Sequence, residues 1–126
     1  MKTLALLLAF FALPLVAQQN THPAFKVAFA QTTTGNSATV SWVTSTTPGP
    51  VSIYRCVGTP CTALSSFTLL VSGLPAAGPY VDTTVTAGQY SYYGVTVLNG
   101  ATSAASNIAT GTLSPQPPTG FSVTVQ

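Results

Sequence analysis

Apolar and polar residues alternate with a period of two along short stretches of the chain. Clusters of Gly, Pro, Ser and Asn separate those stretches. Phe25, Val27 and Phe29 alternate with Lys26, Ala28 and Ala30, which predicts a first strand, and Thr33-Thr34-Gly35-Asn36 predicts the turn after it. Ala38, Val40 and Trp42 alternate with Thr39, Ser41 and Val43 in a second strand, broken by Thr46-Thr47-Pro48-Gly49-Pro50. Val51, Ile53 and Tyr54 give a third strand, and Phe67 to Val71 a fourth that stops at Ser72-Gly73. Pro79 to Asp82 is a short fifth strand, and Tyr90 to Leu98, entered through Ala87-Gly88, is the longest. Asn99-Gly100 marks a turn, and Asn107 to Leu113 returns as a seventh strand. No stretch sustains a helical period. Seven short antiparallel strands in one domain predict an all-β fold, a seven-stranded antiparallel β-sandwich. The candidate core is Val40, Trp42 and Ile53, joined by Tyr93, Val95 and Val97 from one face of the longest strand. Tyr90 and Tyr92 have the opposite parity and are expected to face solvent.

The first residues do not fit this pattern. Lys2 is followed by an apolar run from Leu4 to Leu13 and then by Pro14, Leu15, Val16 and Ala17. A positive start, a short apolar stretch and small residues at its end predict a secretory signal peptide over 1–17, cut after Ala17. The run is shorter than the roughly 20 apolar residues a bilayer span requires. No apolar run of membrane length follows it. The expected organisation is therefore a signal at 1–17, a short tail at 18–23, one domain at 24–113 and a Pro-rich linker with a strand-like end at 114–126.

Charge narrows the function classes. Of 126 residues only 3% are charged, with three Lys+Arg and a single acidic residue, Asp82. Polarity comes instead from Thr and Ser, 33 residues in all. Thr stiffens a strand and wets its outer face without charge. A two-carboxylate acid/base pair is excluded, because there is one carboxylate side chain. Nucleic-acid binding needs clustered Lys and Arg, and beyond the leader only Lys26 and Arg55 remain. With a formal net charge of only +2, about +1 once the leader is removed, colloidal repulsion is weak and self-association is expected.

The order of several motifs resembles fibronectin type III domains of the bacterial type. Val40-Ser41-Trp42 resembles the second strand, where a Trp is buried. Val51-Ser52-Ile53-Tyr54-Arg55 resembles the third. Tyr80-Val81-Asp82-Thr83-Thr84-Val85, Gly88 and Tyr93-Gly94-Val95-Thr96-Val97 resemble the fifth and sixth, and Ser103 with Ser106-Asn107 the entry to the last. The similarity covers about residues 24 to 113. One departure stands out. The family's corner-locking Tyr falls at Ser91 here, with Tyr90 and Tyr92 beside it, so the corner is either made by a neighbour or missing. An antibody-type domain is disfavoured, since both cysteines follow Trp42 within one segment.

Few residues carry candidate chemistry. Cys56 and Cys61 enclose four residues, and in an exported chain the expectation is a disulfide clipping the loop after the third strand. A metal site would want three or four ligands, and only His22 and Asp82 could add to the thiols. His22 is close to the expected mature N-terminus, a poor place for a catalytic base. Catalytic residues, metals and cofactors are thus all expected to be none. Asp82 before Thr83-Thr84 reads as a turn-making Asp; Arg55 either pairs with it or covers apolar surface. Tyr90 and Tyr92 are candidate ligand contacts, with cross-strand packing as the competing role. Phe121, Val123 and Val125 alternate after the linker Ser114–Gly120. They are candidates for strand addition to a neighbour, for docking on the chain's own sheet edge, or for a frayed remnant. Thr32–Thr34 and Thr44–Thr47 are candidate O-glycosylation clusters.

These readings favour an exported, non-enzymatic interaction or structural module, secreted or at the cell surface. Its work would be adhesion, spacing or protein binding. The alternatives are a carbohydrate-binding module that uses exposed Tyr side chains, and an assembly subunit that uses its C-terminal strand. The expected partner is a protein or an extracellular polysaccharide, not a nucleic acid.

Overall fold

The computed structural model describes residues 24–32, 35–43, 48–59, 61–117, 120 and 122–124. The expected signal at 1–17 and the tail at 18–23 with His22 lie outside the described residues, as do Phe121 and Val125.

The described chain forms β1 (Phe25–Thr32), β2 (Gly35–Trp42), β3 (Val51–Val57), β4 (Thr68–Leu74), β5 (Tyr80–Asp82), β6 (Gly88–Leu98), β7 (Ala101–Thr102) and β8 (Ala109–Leu113), with a 3-10 turn at Leu64–Ser66. One antiparallel sheet has the order β1-β2-β5; the other runs β4-β3-β6, with β7 and β8 both pairing β6 along its far side. The two sheets pack as the expected sandwich.

Alternation builds the first sheet as the sequence predicts. Phe25, Val27 and Phe29 lie on the more buried face of β1, and Lys26, Ala28 and Ala30 are exposed. On β2, Ala38, Val40 and Trp42 are buried. Trp42 stacks on Phe25 with ring centroids 5.5 Å apart, and its indole N–H donates to the carbonyl of Ala76 at 3.0 Å. That bond lets a polar atom enter the core without an unmet partner. Two glycines of the second sheet make room for β1. A Cβ on Gly94 would stand 2.0 Å from the Phe25 ring, and one on Gly111 2.2 Å from the Phe29 ring.

The fourth strand continues past its predicted stop. Ile53 pairs Val71 and Val51 pairs Leu74, so an extra residue of β4 is accommodated around Ser72-Gly73. The turn residues there make a β-bulge, not an end. At Asn99-Gly100 the turn is as expected. Both residues have positive φ (50° and 78°), the signature of a two-residue hairpin loop, and it produces the short strand β7 that the sequence pattern did not reveal.

The last strand is split in two, and serines fill the gap. Between β7 and β8, Ser103 and Ser106 donate their N–H groups to the Thr96 and Gly94 carbonyls, both at 2.9 Å. Their hydroxyls accept from the Thr96 and Gly94 N–H groups at 3.0 and 2.9 Å. Each serine side chain thus stands in for a strand carbonyl while the backbone loops outward.

Candidate functional site

The sequence suggests Tyr90 and Tyr92 as a surface site. The structure corrects this: Tyr90 is 4% exposed and Tyr92 0%, and both lie in the core between the sheets with Val40, Trp42 and Ile53. The parity within β6 is as expected, but the faces are exchanged. Tyr93 and Val95 are buried in a second apolar cluster on the other side of β6, with Cys56 and Phe67, and Val97 packs against it. Both faces of β6 are therefore covered. Alternation then separates two sets of residues without saying which set lies between the sheets.

The buried tyrosines frame the only carboxylate side chain. Asp82, at the end of β5, is completely buried. Its Oδ1 accepts from the Thr84 N–H at 2.9 Å and the Thr84 hydroxyl at 2.6 Å, closing the turn the sequence predicts. Its Oδ2 accepts from Arg55 Nη1 at 2.7 Å and from the Tyr92 hydroxyl at 3.0 Å. Arg55 and Tyr92 belong to the other sheet, so the carboxylate ties β5 to β3 and β6 across the sandwich. Of the two roles read for Arg55, the pairing is the one formed. Its guanidinium also donates to the Thr84 hydroxyl at 2.6 Å and lies 5.8 Å from the centre of the Tyr90 ring.

The protonation of this group follows from its contacts. Burial works to raise the Asp82 carboxyl, but the hydrogen bonds from Thr84, Arg55 and Tyr92 outweigh it and hold the carboxyl below its ordinary value. Burial, with the Asp82 charge and hydrogen bond, pushes the Tyr92 hydroxyl well above the ordinary tyrosine value. Every polar atom of the carboxylate has a partner within the fold, which makes this a structural tie between sheets.

The corner left open by Ser91 is made by a neighbour. The Tyr90 hydroxyl accepts from the Thr86 N–H at 2.8 Å, four residues upstream. Ser91 instead bonds the Thr110 hydroxyl at 2.9 Å, across to β8.

The outer face of β3 and β6 carries the remaining aromatic set. Tyr54 and Tyr93 stack with centroids 4.9 Å apart and planes 2° from parallel, and Phe67 meets Tyr93 edge-on at 4.9 Å. Tyr93 is further pushed up in pKa by burial and by the neighbouring Tyr54. The Cys56–Cys61 disulfide is formed and holds the loop that delivers Phe67 to this cluster. Among the described residues no group of three or more His, Cys, Asp or Glu could hold a metal.

Two features concern the poles of the sandwich. Asn107 clamps the backbone of Phe25 from both sides, accepting from its N–H at 2.8 Å and donating to its carbonyl at 2.9 Å. At the other end of β1, the Gln31 amide donates to the carbonyl of Ser114. Strands β1 and β8 therefore run side by side in the same direction, and the chain enters the domain at one pole and leaves at the other. From Phe25 to Thr32 the separation is about 23 Å. At the entry pole Pro48, Gly49, Pro50, Gly73, Leu74, Pro75 and Ala76 line an open cleft of about 370 Å³ with no charged residue in its wall. The described tail residues Ser122–Thr124 are exposed, and Val123 stands 74% open. No helix among the described residues is long and apolar enough to cross a membrane.

No protein-family model and no curated protein sequence matches the chain. Solved structures do. A Fn3-like protein from Clostridium thermocellum superposes with a TM-score of 0.56 at 23% identity, over 78% of this chain and 99% of that one. The fourth FNIII domain of a human protein gives 0.55 at 13% identity, over 79% and 83%. A pectate lyase from Pectobacterium carotovorum gives 0.52 at 17%, over 79% of this chain but only 29% of the lyase. With two facing antiparallel sheets, a tyrosine corner and a buried Trp on its second strand, this chain has a fibronectin type III-like fold.

Proposed function

We propose that the chain is an exported, non-enzymatic module that spaces and connects, passing the polypeptide from one pole of a rigid sandwich to the other. The observation that carries this reading is the pair of side-chain ties at the two ends of β1. Asn107 fixes the entry strand and Gln31 holds the exit. An element built this way keeps whatever lies before and after it about 23 Å apart. The side chains that acid/base chemistry would call on support the same reading, because Asp82 and Tyr92 are spent on the tie between sheets. The disulfide is compatible with an oxidising, extracytoplasmic setting. The carbohydrate-binding alternative loses the two tyrosines it rested on, since both are buried.

The test places one fluorophore at Ala24 and one at Ser114 and reads energy transfer. The expected result is a narrow distribution at the pole-to-pole distance, unchanged by ionic strength. A short or broad distribution overturns the spacing role. The same preparation, expressed with residues 1–17 in an exporting host, should be recovered outside the cytoplasm with no titratable thiol.

A further inference from the structure

We propose that the cleft at the entry pole receives the C-terminal segment 121–125 of a second copy of this chain, with the Phe121 ring as the group that fills it. The inference rests on the pole-to-pole path of the proposed function and names the partner.

The cleft is apolar and uncharged. Three prolines, Pro48, Pro50 and Pro75, and the side of Leu74 form its wall. Flat aliphatic rings of this kind pack well against an aromatic face and offer nothing to an ionic ligand. The segment that leaves the opposite pole has matching chemistry. Phe121, Val123 and Val125 alternate with small polar residues, and no charged residue occurs after Asp82. Neither side brings a charge that would have to be desolvated.

Reach selects a second copy over the same chain. From the row of Leu113 and Gly88 to the row of Val51 and Thr96, β6 climbs eight residues, about 26 Å. The cleft also lies beside β3, two strand spacings from β8, which adds about 10 Å sideways. The straight path is thus about 28 Å. Seven steps separate Ser114 from Phe121, and a fully extended chain spans at most about 25 Å over them. Phe121 falls short of its own cleft even before the path bends over the sheet. In accord with this, Val123 is exposed in the single chain. The exit pole of one copy and the entry pole of the next meet without any such detour. A contact between two different surfaces does not close on itself, so copies would add in line.

The test uses the exported full chain and two variants, Phe121→Ser and Pro75→Arg. Phe121→Ser removes the plug. Pro75 is exposed, so Pro75→Arg sets a cation at the cleft mouth without entering the core. Mass is read by light scattering after gel filtration up to about 1 mM chain. The wild-type mass should rise with concentration past two copies, and each variant alone should remain one copy with unchanged Trp42 fluorescence. Mixing the variants should restore association but stop at two copies, because one partner has only a plug and the other only a cleft. A wild-type chain that stays single throughout overturns the proposal, as does association that survives Phe121→Ser or a mixture that fails to pair. A lower melting temperature of Phe121→Ser at constant single-copy mass would show docking within one chain and also overturns it. None of these outcomes alters the energy-transfer distance that tests the spacing role.

Discussion

Asp82→Asn should be the most costly near-isosteric change in the molecule. The substitution keeps the shape of the side chain, and one amide oxygen can still accept from the Thr84 N–H, now 2.9 Å from Oδ1. The other position becomes an NH2 group facing two donors, the Arg55 guanidinium at 2.7 Å and the Tyr92 hydroxyl at 3.0 Å. Losing hydrogen bonds to a charged group costs about 1.5–3 kcal/mol each, and breaking a buried ion pair about 3–5 kcal/mol. The Arg55 side chain is 22% exposed and can turn part of its charge to water, so the lower end applies, about 3 kcal/mol. For a domain of this size that is a large share of a total of about 5–15 kcal/mol. Urea unfolding followed by Trp42 fluorescence reads it directly. With a slope near 1 kcal/mol/M, the midpoint should fall by roughly 2–3 M. Adding Arg55→Met to Asp82→Asn should recover part of the loss, because the uncompensated charge is then gone. A midpoint shift under about 0.5 M, or a double variant weaker than the sum of the singles, would refute the account of this tie.

Stability should be flat between about pH 5 and 9 and fall on both sides. Asp82 has its folded value below the unfolded one, so its contribution is complete above about pH 4 and is lost as pH falls through the lowered value. Tyr92 has its folded value raised, so its contribution is complete below about pH 10 and is lost as pH climbs from there toward the raised value. Asp82→Asn should flatten the acid limb, and Tyr92→Phe should shrink the alkaline limb, to which the raised Tyr93 also contributes; a limb left unchanged by its variant contradicts the assignment. Gly94→Ala would put a methyl 2.0 Å from the Phe25 ring and should cost about 1–3 kcal/mol, partly relieved by Phe25→Leu in the same denaturation assay. Reducing the Cys56–Cys61 bridge opens only a short loop and should cost about 2 kcal/mol, with Phe67 and Tyr93 becoming accessible to quenchers before the rest of the core.

Much of the architecture was legible in the chain. Period-two alternation in Phe25–Ala30 and Ala38–Trp42 specifies strands with one buried face, because each lies in a sheet wet on its other side. The disulfide followed from two cysteines in one short segment, and the Asp82 turn from an Asp two residues before a Thr N–H. What alternation could not decide was the side on which Tyr90 and Tyr92 lie. A strand covered on both faces is apolar at both parities, and only the partners brought in from distant sequence break the tie. Those partners are Phe67 through its disulfide loop on one side and Asp82 from the other sheet on the opposite side. The same holds for Tyr90 as the corner residue, set by where Thr86 turns, and for Gly94 and Gly111, whose missing side chains answer to Phe25 and Phe29. Sequence by itself determined most of the strands and turns, though not β7 or the bulge in β4, and the shortage of ionisable groups, because these depend on neighbours along the chain. The tertiary structure alone decided which face became the interior, which partners from the other sheet the carboxylate met, and that the chain leaves at the pole opposite its entry, because those depend on residues brought together from separate strands, 27 positions apart for Arg55 and Asp82 and 82 and 83 for the two pole ties.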